Sequence, residues 1–167
     1  MFEHFTPQIY IEDVFALPVG FLQSKGIKAL LLDLDNTLTV WHAEKVPQSI
    51  LSLLRRWEEQ GMKLCLLSNN RGKRVEQMAG LLGIAYVKNA NKPSKGGYLR
   101  ACEKMKVLPS QAAMVGDQLL TDVCAAKRAG MRAYLVPPIK DKTSLFFKAK
   151  RAIEKPYIKK YRRMHGE

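Results

Sequence analysis

Cysteine is scarce in this chain, and several other things missing beside it narrow the field. Cys65, Cys102 and Cys124 are odd in number, far apart and free of any CxxC spacing, which argues against a disulfide framework or a zinc site. Each lies in an apolar segment, so the expectation is buried packing in a reducing cytoplasm. No stretch approaches the roughly 18 consecutive apolar residues that a membrane span needs. The opening MFEHFTPQIYIED carries acids and lacks the basic-then-apolar order of a secretory signal. Repeats, low-complexity tracts and a domain-splitting linker are also missing. With 47% apolar residues in 167, a single globular domain over residues 1–167 is expected.

Acids are in deficit. Lys and Arg number 28 against 15 Asp and Glu, a formal net charge of +13. Residues 140–167 hold ten Lys or Arg against three acids, so just over half of the excess lies in the last sixth of the chain. Two readings of this basic C-terminus stay open. It is a solvated helix and tail, or it is a patch that holds anionic lipid or nucleic acid by charge attraction.

Five short apolar runs recur at 28–34, 62–67, 84–87, 112–115 and 133–136, and helical stretches lie between them. Pro47 to Gln60 aligns Ile50, Leu53, Leu54 and Trp57 on one face before Gly61. Arg74 to Leu82, Lys95 to Lys106 and Leu119 to Ala129 read as three more helices. Strands that are apolar throughout are buried on both faces, and their alternation with helices implies right-handed crossovers. The predicted fold is therefore α/β: a three-layer, Rossmann-like domain with a mainly parallel five-stranded sheet, its core spanning about 28–137. Pro7 to Leu22 reads as a helical lead-in. Thr143 or Ser144 could cap a final helix with Phe146, Ala149 and Ile153 turned to the core, ended by Pro156.

The polar residues fall at the carboxyl ends of these strands, where ligands gather in such sheets. The first run ends in Asp33-Leu34-Asp35-Asn36-Thr37 and the second in Ser68-Asn69-Asn70. Lys92-Pro93 lies in the loop after the third, with Lys95 close by, and Gly116-Asp117 ends the fourth, with Asp122 five residues on. Carboxylates brought so close repel one another, so a cation belongs among them, and oxygen ligands of this kind suit magnesium. A phosphate ester accounts for the rest. Lys92, the Ser68 hydroxyl and backbone N–H groups can hold its dianion, one carboxylate can attack phosphorus, and a second can move the protons. A lone DxD is weak evidence; the whole set, in order and each at a predicted strand end, is far stronger.

These residues resemble the four motifs of the haloacid dehalogenase (HAD) superfamily. The resemblance implies Asp33 as nucleophile, Asp35 as acid/base, and Ser68, Asn69 and Lys92 as phosphate-binding residues, with Lys95 as the fallback lysine. It further implies that Asp33, the Asp35 backbone carbonyl and Asp117 hold Mg2+. Asp122 either reaches the metal through water or anchors the following helix, and is expected behind the ligands rather than among them. An aspartate at the second position of DxD is the phosphatase pattern and not that of the superfamily's dehalogenases or cation pumps. LLLDLDNTLTVW, LLSNN, NANKPSKGG and VGDQLLTDV taken together are similar to the YqeG-type IIIA phosphatases, relatives of the mitochondrial phosphatidylglycerophosphate phosphatase.

The intervals 39–67 and 70–91 are too short for a cap domain, so the expected site is open, which suits phosphate carried on something large. Trp41, His42, Arg71 and Lys73 could line its rim. The function expected is magnesium-dependent phosphomonoester hydrolysis through an aspartyl-phosphate, on a large or membrane-borne phosphorylated substrate such as phosphatidylglycerophosphate, in the cytoplasm with peripheral contact to an anionic membrane. The alternative is a nucleic-acid- or ribosome-associated binding protein that uses the same fold as a scaffold.

Overall fold

A computed structural model describes residue 7 and residues 9–140 and 145–165. Six strands form one parallel sheet: β1 (Ile9–Tyr10), β2 (Ala29–Leu32), β3 (Lys63–Leu67), β4 (Ala85–Val87), β5 (Ala112–Gly116) and β6 (Arg132–Leu135). Their order across the sheet is β1-β6-β5-β2-β3-β4. β2 thus lies between β5 and β3, with Leu31 in register with Met114 on one side and Cys65 on the other. Its two neighbours are reached by crossovers in opposite directions, which opens a crevice at its carboxyl end.

The alternation of side chains along the strands builds two cores. Leu30, Leu32, Leu64, Leu66 and Val115 face α1 (Val19–Ser24), α2 (Gln48–Glu59) and α3 (Lys73–Leu82). Ala29, Leu31, Cys65, Leu67 and Met114 face α4 (Gly96–Met105) and α5 (Cys124–Arg128), with Tyr157 and Ile158 of α6 (Leu145–His165) packed against them. The expected face of α2 is buried, and each such large apolar side chain contributes roughly 1.5–3 kcal/mol. All three cysteines are buried free thiols. Burial pushes Cys65 up to about 12 and Cys102 up to about 11, which keeps both as unreactive packing groups.

The structure departs from the expected layout in four places. The sheet has six strands rather than five, because Ile9 and Tyr10 pair with Tyr134 and Leu135. A two-residue edge strand is too short to show a period. The lead-in is accordingly a strand, a 3-10 turn at Val14–Ala16 capped by the Asp13 side chain, and only then a helix. The stretch expected as one helix from Leu119 opens instead as a wider π turn, Leu119–Val123, before α5. Finally, α6 runs through Pro156 to His165. Its buried side carries Glu154 and Tyr161, with Tyr157 and Ile158 half-buried, while Ala149 and Ile153 are exposed. Contacts made on both sides of Pro156 offset a helix-interior proline, which costs about 3 kcal/mol. The proposed capping residues Thr143 and Ser144, and the side chain of Phe146, lie outside the described residues.

Between β2 and β3 stand a tight loop and α2, and between β3 and β4 stands α3. Among the described residues no helix is long and apolar enough to cross a membrane.

Candidate active site

The ladder of hydrogen bonds carries the chain past the last strand residues and delivers the polar groups to the crest. Asp33 N donates to Val115 O at 3.0 Å, and Ser68 N donates to Val87 O at 3.1 Å. Asp33, Ser68 and Asp117 therefore emerge side by side from three adjacent strands, all of them buried. The chain after Asp33 folds back at once. Asn36 takes a positive φ of 70°, its N–H donates to Thr39 O at 2.7 Å, and Leu38 and Thr39 both donate to Leu34 O at 3.1 Å.

Lys92 closes the centre of the site. Its Nζ donates to Asp33 Oδ1 at 2.5 Å and to Asp122 Oδ1 at 2.7 Å, with 5% of its side chain exposed. The loop that carries it is pinned from two sides. Asn69 binds the Lys92 backbone at both ends of its amide, accepting from Lys92 N at 2.6 Å and donating to Lys92 O at 3.0 Å. Gly97 on α4 comes so close that an added Cβ would lie 2.5 Å from Ala90 O. Lys95, in contrast, is exposed at the start of α4.

Asp122 is anchored as well as paired. Its Oδ2 accepts from Gln118 N at 3.1 Å, and its backbone carbonyl accepts from Tyr98 OH at 3.3 Å. The π turn carries Asp122 back over Gly116, where an added Cβ would sit 2.5 Å from the Asp122 carboxyl carbon. A glycine before Asp117 is thus a steric requirement of this site.

Asp33, Asp117 and Asp122 each offer an oxygen within 4.8 Å of the others. With all three ionised and Lys92 protonated, this buried cluster carries two negative charges. Burial pushes Asp33 up to about 8, against the pull of Lys92 and with the help of Asp122 and Asp117. Burial would lower Lys92, but Asp122 and Asp33 overcome it and hold the ammonium well above its ordinary range. The net charge, the oxygen-only donors and their closeness fit a small divalent cation.

Asp35 faces a different partner. Arg74, in the first turn of α3, takes its carboxylate in a two-pronged grip, Nη2 to Oδ1 at 2.9 Å and Nη1 to Oδ2 at 3.2 Å. Arg74 also donates from Nε and Nη2 to Ala43 O at 3.2 and 3.1 Å. Asp33, Asp35, Ser68, Asn69 and Lys92 line one cleft of about 350 Å³, with Trp41, His42, Gln118 and Thr121 also around it. The Trp41 ring, 48% exposed, lies 4.1 Å from that of His42. Arg71 and Lys73 are exposed; Arg74, passed over in the sequence, is the cation that reaches inward. Its signal was its place in the first turn after a strand end, one residue beyond Lys73.

A parallel sheet crested by this acid cluster and its bridging lysine is the arrangement of a HAD-type phosphatase, a phosphoric monoester hydrolase. Within that class the chain belongs to the family described as mitochondrial PGP phosphatase, whose profile matches residues 2–140. It is similar to a Bacillus subtilis protein named "Probable phosphatase YqeG", 28% identical over 95% of this chain and 92% of that one. It is also similar to phosphatidylglycerophosphate phosphatase 1 of the Chlamydomonas reinhardtii chloroplast, 30% identical over 80% of this chain but 53% of that one. Among solved structures, a HAD phosphatase from Thermococcus onnurineus matches with a TM-score of 0.52 and 27% identity, covering 60% of this chain and 51% of that one. An uncharacterised protein from Listeria monocytogenes matches in fold, with a TM-score of 0.57 at 17% identity over 71% of this chain and 85% of that one.

Proposed function

We propose that this phosphatase acts through an aspartyl-phosphate on Asp33 and that its substrate is a phosphomonoester on a membrane lipid, such as phosphatidylglycerophosphate. The observation that carries the mechanism is the buried cluster around Lys92, in which one carboxylate lies at the cleft against a cation able to hold phosphate. Asp33 attacks phosphorus, the ester P–O bond breaks, and the leaving oxygen takes its proton from Asp35. Asp35 then accepts a proton from water as the water attacks the same phosphorus, which breaks the bond to Asp33 and releases inorganic phosphate. Lys92 and Ser68 bind the phosphate oxygens, and Asn69 serves by holding Lys92 in place. Magnesium would be held by Asp33, Asp117 and the Asp35 backbone carbonyl, and when bound it would neutralise the phosphate and the carboxylates together. Asp122 stands behind, shared between Lys92 and the Gln118 N–H.

The lipid substrate draws its support from the relatives, one of which is the chloroplast enzyme above and another the phosphatidylglycerophosphate phosphatase 1 of Arabidopsis thaliana, 22% identical over 80% of this chain and 41% of that one. The short connections from β2 to β3 and from β3 to β4, and the basic residues of α6, support a substrate held at an anionic membrane surface. A binding protein for nucleic acid is not favoured, since it would have no use for the assembled acid cluster. The test is hydrolysis of p-nitrophenyl phosphate and of phosphatidylglycerophosphate in vesicles, by wild type and Asp33→Asn, with magnesium and with EDTA. Turnover that needs both Asp33 and the metal and prefers the vesicles is expected; turnover by Asp33→Asn would refute the mechanism, and indifference to the lipid would refute the substrate.

A further inference from the structure

We infer that Arg74 is a positioning residue for the proton-transferring carboxylate, a role that rests on the reading of Asp35 as acid and base. Asp35 follows a strand end and precedes a tight turn, so its backbone is fixed while its carboxylate could still rotate. Arg74 removes that freedom by gripping both carboxylate oxygens, while His42 N adds only a longer contact to Oδ1 at 3.4 Å. The guanidinium is itself braced, because Nε and Nη2 also donate to Ala43 O. One planar group thereby ties α3, the loop ending at Ala43 and the Asp35 carboxylate together, with both charged side chains less than a fifth exposed. A lysine has neither the fork nor the extra donors to make both contacts at once.

The location suits the departing alcohol. Arg74 also lines a second groove, walled by His42, Glu44, Gln77 and Leu81, which meets the catalytic cleft at His42. Asp35 is the cleft carboxylate nearest in contact to that side, through its bond with Arg74. Asp35 enters the step protonated, gives that proton to the ester oxygen as the P–O bond to phosphorus breaks, and is left as the carboxylate that Arg74 grips, so the alcohol leaves neutral. Loss of the grip should therefore matter most when the leaving oxygen is a strong base and needs that proton, and least when it departs readily as an anion.

The experiment compares phenyl phosphate with p-nitrophenyl phosphate, two esters of similar shape whose leaving oxygens differ in basicity. The quantity read is kcat/KM, which reports the step that forms the aspartyl-phosphate. Arg74→Ala should lower kcat/KM for phenyl phosphate by roughly 10- to 100-fold, a part of the roughly 10²- to 10⁴-fold that a general acid supplies, and for p-nitrophenyl phosphate by no more than about 3-fold. Asp35→Asn should show the same selectivity, and the double variant should be little worse than Asp35→Asn alone. Arg74→Lys should rescue only a small part; it carries the test if Arg74→Ala fails to fold, as judged by circular dichroism. Equal losses on both esters, or none, in a folded Arg74 variant would overturn the inference while Asp35→Asn stayed selective. An unselective Asp35→Asn would instead overturn the acid–base reading itself, and the role of Arg74 with it.

Discussion

The crest of the sheet and the C-terminal helix treat charge in opposite ways. At the ends of β2, β3 and β5, a strongly basic chain gathers three acids around one buried lysine and leaves the group short of positive charge. Along α6 the described basic side chains are exposed, with Lys155, Lys159, Arg162 and Arg163 lining one groove. Overall net charge therefore says nothing about the catalytic centre. Charges at the crest are costly to bury and are held by their partners; those exposed on α6 cost little to place and are screened by salt.

Substitution at the crest should have the larger consequences. Asp33→Asn is expected to cut turnover by at least about 10³-fold, since in the proposed mechanism it removes the attacking group, with magnesium-dependent steady-state kinetics as the check. Gly116→Ala comes next. Its new Cβ would meet the Asp122 carboxylate, and overpacking of this kind costs roughly 1–3 kcal/mol, so a lowered melting temperature and a clear loss of activity should appear together. Activity and stability unchanged from wild type would mean that Asp122 is not held as described.

The same crowding predicts a pH response. Asp33 binds its proton more tightly folded, at about 8, than at its ordinary 3.8, so its contribution to stability is full below about pH 4 and is lost as pH rises through about 8. Metal-free protein in EDTA should lose melting temperature across that range, and Asp33→Asn should flatten the slope. Added magnesium should restore stability at the upper end. A slope identical in wild type and Asp33→Asn would contradict the electrostatic account.

On α6 the expected effects are smaller and divide between neighbours. Glu154 is 1% exposed and accepts from Leu120 N at 3.3 Å, so Glu154→Ala should cost about 1–3 kcal/mol in denaturant unfolding. Ile153 is 54% exposed, and Ile153→Ala should cost less than about 0.5 kcal/mol. Reversal of charge at Lys159 and Arg163 should change p-nitrophenyl phosphate turnover by less than about 2-fold while it weakens binding to anionic vesicles, at roughly 1 kcal/mol per charge.

The contrast between these regions also governs what could be read from sequence. Strands buried on both faces appear as unbroken apolar runs, and the rule that ligands gather at their carboxyl ends brought Asp33, Ser68 and Lys92 to one cleft, with Asp117 buried beside Asp33. The edge strand Ile9–Tyr10 escaped because two residues carry no period. Arg74 escaped because its role depends on where α3 begins relative to the Asp35 loop, which is a matter of packing. In α6, helical spacing grouped Phe146, Ala149 and Ile153, yet the partner surface decided the buried side. Leu120 N, presented by the π turn, draws in Glu154, a residue that periodicity assigns to solvent. Asp122 was legible as a neighbour of the site; its anchoring by Lys92 and Gln118 needed the π turn and the missing side chain of Gly116.

The central claim is a covalent phosphate on Asp33. The direct measurement is an acid quench during turnover of p-nitrophenyl phosphate with magnesium, then borohydride reduction and peptide mass spectrometry, which marks a phosphorylated aspartate as homoserine. The account predicts that mark at position 33 in wild type and nowhere in Asp33→Asn. Turnover with no marked aspartate, or a mark at Asp35 or Asp117 instead, would contradict it.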